Sequence, residues 1–238
     1  MITSITVCSF NVGGWTDGTR SGLRSDELPA RLAAWESFLA DNDADFLLCE
    51  EASFFVDAAR LMPAYETLFA RRFPFSARVE SGDKLTAAVL LCAKYPIENP
   101  TARQFASGSG RPFVTFDTVC GGRRLKFAVV HLSIEANSEG IRRRDLAELA
   151  ALLRDGEIDV LTGDFNTFEI GEFDIFRPAA HLANHGAYGD FETWPHKAGQ
   201  WNRCLDNVIT GGALTLSDVR MGDVILSDHL PIFAQVGF

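Results

Sequence analysis

Apolar and polar positions repeat one design along this chain: a strand-like run that breaks off abruptly in polar groups. Ile5-Thr6-Val7-Cys8-Ser9-Phe10-Asn11-Val12 alternates with the two-residue period of a strand and stops at Gly13-Gly14. Asp45-Phe46-Leu47-Leu48-Cys49-Glu50-Glu51 is a compact apolar run ending in two acids, and Phe127-Ala128-Val129-Val130-His131-Leu132 ends in a histidine. A fourth run, Ile158 to Leu161, passes through Thr162 into Gly163-Asp164-Phe165-Asn166, where Gly163 is expected to turn the chain and present Asp164 and Asn166 together. Helical spacing covers Leu28 to Ala40, with Pro29 suited to a first turn, and Ser138 to Arg154. Leu85 to Leu91 and Pro112 to Val119 read as strands, the latter joined by Gly121-Gly122 to Arg124–Leu132 as a hairpin. Phe168 to Gln200 loses regularity, scattering Phe173, Phe176 and Trp194 among Gly, Pro, His and Asp, with Trp201 just beyond, as rims of substrate sites often do. Arg203 to Ile209 returns to strand pattern, a second hairpin is expected near Gly211-Gly212, and Pro231 marks either an edge strand or the first residue of the last one.

Composition narrows the class. With 238 residues, 47% hydrophobic, 23% charged and 19 Phe, the chain has ample core material, and no linker interrupts it; one domain over 1–238 is expected. Cys8, Cys49, Cys92, Cys120 and Cys204 are odd in number, lack a C-x-x-C pair and read as reduced core residues. No secretory pattern or membrane-length apolar run is seen, so a cytoplasmic location with no membrane span is expected. Thirty-two acids against 22 bases, a net charge of −10, argue against a bulk field that gathers polyanions. A carboxylate-held cation can still supply local positive charge for a phosphate substrate.

Several residues carry two readings. Asn11 before two glycines is either a turn former or a site residue. Glu50 and Glu51 are either solvated helix-capping acids or ligands of a hard cation, for which Mg²⁺ suits carboxylates better than Zn²⁺ does. His131 is a structural histidine or a phosphate contact. Arg142-Arg143-Arg144 forms a solvated face or reaches a phosphate. His181 and His185, four apart, would share a helical face as in zinc sites, but have no third ligand. Asp206 inside a strand needs a partner, expected in Asp228-His229.

Taken together, Asn11, Glu51, His131, Asp164, Asn166, Asp206, Asp228 and His229 fall at or near strand ends along almost the whole chain. The set resembles the endonuclease/exonuclease/phosphatase superfamily, with its DNase I-like fold. Gly163-Asp164-Phe165-Asn166 and Ser227-Asp228-His229 match the family's GDFN and SDH motifs fully. Ser9-Phe10-Asn11-Val12, Asp45 to Glu51, Val130-His131-Leu132, Thr193-Trp194-Pro195 and Leu205-Asp206 resemble the others. Glu50 stands where glutamine is usual, Asn207 where an aromatic is common, and Asp145 where glutamine is frequent.

The resemblance implies an α/β fold, a four-layer sandwich of two mixed sheets flanked by helices, with the site at one edge. It implies a divalent-metal-dependent hydrolase of phosphate esters, foremost a phosphodiesterase, alternatively a DNA or RNA endo- or exonuclease. A different class is a silent phospholigand-binding module. The substrate partner is a phosphate ester (nucleic acid, lipid or small molecule), and no obligate protein partner is implied. Glu51 is the expected ligand of Mg²⁺, with Mn²⁺ as a substitute, joined by Asp228 and by Asn11 directly or through water. Asp206 would orient His229, whose ordinary pKa of ~6.5 suits proton transfer from the attacking water. Asp164 is the alternative base; with Asn166 it would position water and phosphate, and His131 would contact a phosphoryl oxygen or the leaving group.

Overall fold

The computed structural model describes residues 3–15, 27–53, 58–80, 88–109, 111–133, 139–167, 170–194, 204–223 and 226–238. Two six-stranded sheets stack face to face. The first runs β11 (Thr215–Met221), β12 (Ile232–Gly237), β1 (Ser4–Asn11), β2 (Phe46–Glu50), β4 (Ala88–Ala93) and β3 (Phe75–Glu80). The second runs β5 (Glu98–Arg103), β6 (Phe113–Cys120), β7 (Arg123–His131), β8 (Val160–Asp164), β10 (Asp206–Gly211) and β9 (Ala180–Leu182). Helices α1 (Leu28–Asp41) and α2 (Ala58–Ala70) cover the first sheet, and α3 (Glu139–Arg154) covers the second, which makes four layers. This is the expected DNase I-like architecture.

Each sheet holds one parallel pair, and parallel strands need a crossover that a helix can span. Helix α1 lies between β1 and β2, and α3 between β7 and β8. Both pairs end level: Asn11 is in register with Glu50, and His131 with Asp164. Strand β10 runs antiparallel to β8, so its first residue, Asp206, also lies opposite Asp164. The fold therefore lines up the polar ends of the apolar runs.

The runs of β2 and of the second half of β7 are apolar because these strands are buried on both faces. Phe46 of the first sheet stacks on Phe127 of the second at 4.9 Å, and Phe127 stacks on Phe116 at the same distance. Phe10, Trp35, Phe38, Tyr65 and Phe69 fill the layer under α1 and α2, while Leu132, Leu146, Leu149 and Phe165 fill the layer under α3. Cys8, Cys49, Cys92 and Cys120 are free and buried, and Cys204 is half-buried and free. Among the described residues no helix is long and apolar enough to cross a membrane.

Three local expectations change, and four elements are additions. Gly211-Gly212 is not a hairpin: β10 belongs to the second sheet and β11 to the first, because Leu214 and Leu216 are drawn between the sheets. Pro231 precedes β12, an interior strand, so the edge reading falls. The strand expected over Leu85 to Leu91 is β4, displaced to Ala88–Ala93, and residues 85–87 lie outside the described set. Helix α2, which carries Pro63 within it, and strands β3, β5 and β9 have no counterpart in the sequence pattern.

Candidate active site

The site sits where the two sheets meet at the level ends of their parallel pairs. The Asn11 side chain crosses that seam: its Nδ2 donates to Asp164 Oδ2 at 2.9 Å and to Glu51 Oε1 at 3.3 Å. Its Oδ1 accepts from Gly13 N at 3.0 Å, which fixes the amide's orientation. Glu51 lies one residue past β2 with φ +51°, and this turn takes it away from the buried path of Glu50 toward Asn11 and His131 Nε2, 3.4 Å off.

Asp164 ends β8 with both oxygens engaged, since its Oδ1 accepts from the backbone N–H of Asn166 at 2.8 Å. Asn166, in left-handed backbone at φ +48°, makes the turn that was expected of Gly163, and its Nδ2 donates to the Leu132 carbonyl at 2.9 Å. Gly163 itself lies inside β8. A Cβ there would sit 2.0 Å from the Val130 carbonyl oxygen, and the φ of +132° is one that side chains rarely adopt. The glycine is required by the neighbouring strand, not by a turn.

His229 Nδ1 lies 2.9 Å from Asp206 Oδ2, and its Nε2 lies 3.8 Å from Asp164 Oδ2. Thr193, fully buried, ties this pair down: its hydroxyl accepts from the N–H groups of Leu205 and Asp206 at 3.2 and 3.0 Å, and its carbonyl accepts from Leu230 N at 2.7 Å. Asn207 fills the aromatic's place with a reciprocal amide pair to Asn184, each bond 2.8 Å, and Asn184 Nδ2 donates to the Asp206 carbonyl at 3.0 Å. Asp228 lies beside this pair on the Gly13 side. Ser227 Oγ donates to its Oδ1 at 3.2 Å, and a Cβ on Gly13 would come within 2.7 Å of that oxygen.

Charge is concentrated here. Burial opposes protonation of His229, but Asp206 and Asp164 outweigh it and lift its pKa to about 10. Burial raises Asp164 to about 7, with Asp206 adding to the rise and His229, Asn11 and Asn166 restraining it. Glu50, fully buried with Oε2 lacking any hydrogen-bond partner, is pushed well above the usual carboxylate range by burial and then by Asp206 and Asp164. His131 is pushed well below the ordinary histidine value by burial, by Arg111 and by His229, and so stays neutral.

Arg111 is the functional candidate that the sequence pattern does not reveal. Its Nη1 donates to His131 Nε2 at 2.7 Å and to the Leu132 carbonyl at 3.2 Å. Nothing in the local pattern separates it from other loop arginines; a basic residue just ahead of a strand in register with a histidine strand is the only signal.

The other candidates part from the site. Arg142 is fully buried and forks onto Glu172 through two 2.9 Å bonds, while Arg143 and Arg144 are exposed, so the triplet is neither one solvated face nor a phosphate cluster. His181 belongs to β9 and His185 follows it, paired with Asp190 at 3.1 Å; with no helix there, the zinc geometry is absent. Pro195, Trp201 and Arg203 lie outside the described residues. Among the described residues, Asp164, Asp206 and His229 form a group whose ligand atoms lie within 4.8 Å of one another. The residues suit a hard cation: two carboxylates, Asp164 and Asp206, meet beside His229, Asn11 links Asp164 to a third, Glu51, and Asp206 Oδ1 is buried with no hydrogen-bond partner.

Comparison with solved structures gives the same architecture. Over 100% of both chains, the fold matches TDP2 from D. rerio, complexed with a single-strand DNA product, at a TM-score of 0.73 and 14% identity. It matches the human Nocturnin catalytic domain, with bound sulfate, at 0.70 and 16% identity, over 99% of this chain and 94% of that one. Beta toxin from Staphylococcus aureus, with bound magnesium ions, matches at 0.67 and 14% identity, over 98% and 99% of the two chains. No curated protein matches the chain significantly by sequence. Residues 8–229 match the Endonuclease/Exonuclease/phosphatase family, and the chain belongs to that family.

Proposed function

We propose that this protein is a divalent-cation-dependent hydrolase of phosphate esters, foremost a phosphodiesterase. The observation that carries the reading is the seam itself: Asn11, Glu51, Asp164, Asp206 and His229, from both sheets, converge within hydrogen-bonding and ion-pairing distance. Glu51 and Asp228 would hold Mg²⁺, which when bound polarises phosphoryl oxygens and stabilises the leaving oxygen, while Asn11, expected beside them as a ligand, turns its amide nitrogen to the acids and serves as a donor instead.

The chain's own residues do the rest. Asp164, raised to about 7, stands between acid and base at neutrality and accepts the proton of the attacking water. His229, kept protonated by Asp206 and Asp164, presents Nε2–H to the phosphate and neutralises charge in the transition state. Asn11 and the backbone N–H of Asn166 hold the two oxygens of Asp164 in place. Arg111 supplies a permanent donor to a phosphoryl oxygen, and His131 accepts from it and fixes its direction.

The test is a panel of bis-p-nitrophenyl phosphate, DNA, abasic duplex, RNA, inositol phosphates and sphingomyelin, each with Mg²⁺, Mn²⁺ or EDTA. Metal-dependent turnover that Asp164→Asn abolishes supports the reading. Turnover that ignores both EDTA and that substitution overturns it. A nuclease is the second reading, favoured by the D. rerio relative that holds a single-strand DNA product; it predicts that the nucleic acids in the panel are the better substrates.

A further inference from the structure

Helix α3 turns two side chains inward, one three residues after the other. Arg142 forks onto Glu172, just past the loop that carries Asp164 and Asn166. Asp145 is 1% exposed, and its Oδ1 accepts from Ser107 Oγ. The Ser107 oxygen in turn accepts from Ser109 N at 3.2 Å, and the Ser109 hydroxyl donates to the Arg111 carbonyl at 3.3 Å. One turn along α3, Glu148 Oε2 accepts from Ala106 N at 2.9 Å, so the stretch before Arg111 is fastened to the helix at two points. Phe105 anchors the same stretch against Phe113, with ring centroids 4.7 Å apart.

A surface loop needs no buried carboxylate to stay folded, and Asp145 is a costly one: its Oδ2 is buried with no hydrogen-bond partner. What lies at the end of this chain of bonds is the guanidinium 2.7 Å from His131 and 3.2 Å from the Leu132 carbonyl, the oxygen that also receives Asn166 Nδ2. From that continuity we infer that Asp145 is a positioning residue for the substrate's phosphate, acting through Ser107 and Ser109 on the placement of Arg111. Of the two inward side chains of α3, Asp145 thus holds the guanidinium loop, while Arg142 holds Glu172 beyond the carboxylate segment. The inference rests on the phosphate-ester reading, and it adds that an anionic phosphate group is received on the α3 side by a guanidinium held from behind.

The experiment measures kcat and KM for the best ester of the panel, and inorganic phosphate binding by calorimetry with Mg²⁺ present, in the wild type, Asp145→Leu, Asp145→Asn, Ser107→Ala, Arg111→Ala and the Asp145→Leu/Arg111→Ala double variant. Asp145→Leu removes the acceptor at similar volume, and Asp145→Asn keeps an oxygen for Ser107. Asp145→Leu and Ser107→Ala are expected to weaken phosphate binding and raise KM by about tenfold with a smaller change in kcat, since small misplacements of a binding group are costly. Asp145→Asn should recover most of the loss, and Asp145→Leu should add nothing in the Arg111→Ala background. An effect of equal size in that background, or none in the wild-type background, overturns the inference, as does loss that tracks the melting temperature alone across the three loop variants. Phosphate binding that depends on Arg111 and Asp145 in a protein that turns over no ester would sustain the inference while the hydrolase reading failed. Turnover lowered by Arg111→Ala but untouched by Asp145→Leu would do the reverse. A protein that neither binds phosphate nor turns over any ester overturns both.

Discussion

Asn11 and Asp164 stand 153 residues apart in the chain, yet the amide of one donates to the carboxylate of the other at 2.9 Å. The bond joins the end of β1 in the first sheet to the end of β8 in the second. Because Gly13 N occupies the amide's oxygen, the nitrogen must face the acids. Asn11 therefore acts as a donor that favours the ionised form of Asp164.

Asn11→Ala is expected to move the acidic limb of the pH–rate profile upward. Asp164 is raised to about 7 even with the Asn11 bond restraining it, so removal of that donor raises it further and lowers the ionised fraction at neutral pH. The loss at pH 7 should be about tenfold, recovering in part at higher pH. A profile measured from pH 5 to 10 checks this, and an unmoved limb would remove Asp164 from the base role.

Asp164→Asn and His229→Gln should each lower kcat by about 10²–10⁴-fold, the usual contribution of a group that moves or holds a proton in the transition state. The folded state should survive in both, as far-ultraviolet circular dichroism would report. Substrate turnover by either variant at the wild-type rate would contradict the proposed mechanism.

Glu50→Gln should stabilise the metal-free protein at neutral pH. Burial, with Asp206 and Asp164, raises the folded-state pKa of Glu50, so its favourable contribution is complete below the unfolded value of ~4.3 and is lost as pH rises toward the folded one. Above ~4.3 each pH unit costs the parent up to about 1.4 kcal/mol until the folded pKa is reached, a loss that glutamine does not share. Chemical denaturation in EDTA at pH 4 and pH 8 should show little difference at the first and a gain for the variant at the second. A parent that outlasts the variant at pH 8 would mean that the Glu50 carboxylate is compensated in the fold.

Gly163→Ala should destabilise the fold severely, by about 2–6 kcal/mol, since backbone strain and overpacking against a backbone atom each cost about 1–3 kcal/mol. The Val130 oxygen cannot swing aside as a side chain would, being held in the sheet only 2.0 Å from the new Cβ. A urea midpoint within error of the parent would show that β7 and β8 can separate at this point.

Much of the candidate site was legible because each of its strands announces itself locally. A run such as Leu47-Leu48-Cys49 or Val129-Val130 is apolar on both faces, and the polar residue at its end must face whatever lies at the sheet's edge. Less legible was the direction of neighbours: Glu50 and Glu51 are equivalent in the sequence, but the first is sealed in the interior and the second is turned by its positive φ toward Asn11 and His131. The hairpin expected at Gly211-Gly212 failed for the same reason, because turn residues do not say which sheet the next strand will join. Helix α2 carries Pro63 inside it, a residue that disfavours a helix interior, so local pattern does not announce this helix.

From its own pattern of runs, the chain determined most of its strands, the helices α1 and α3, and the strand-end positions from Asn11 to His229, since each depends on side-chain period and local chemistry, while the two-sheet sandwich was implied by the resemblance of its motifs to the family's. Only the tertiary structure decided that Arg111 meets His131, that Asp145 holds the loop before it, that Arg142 turns inward to Glu172, and that Gly163 yields to the Val130 carbonyl. Those pairings join residues whose separations carry no periodic signal, and they follow from strand register and the packing of layers, which exist only once the whole chain has closed on itself.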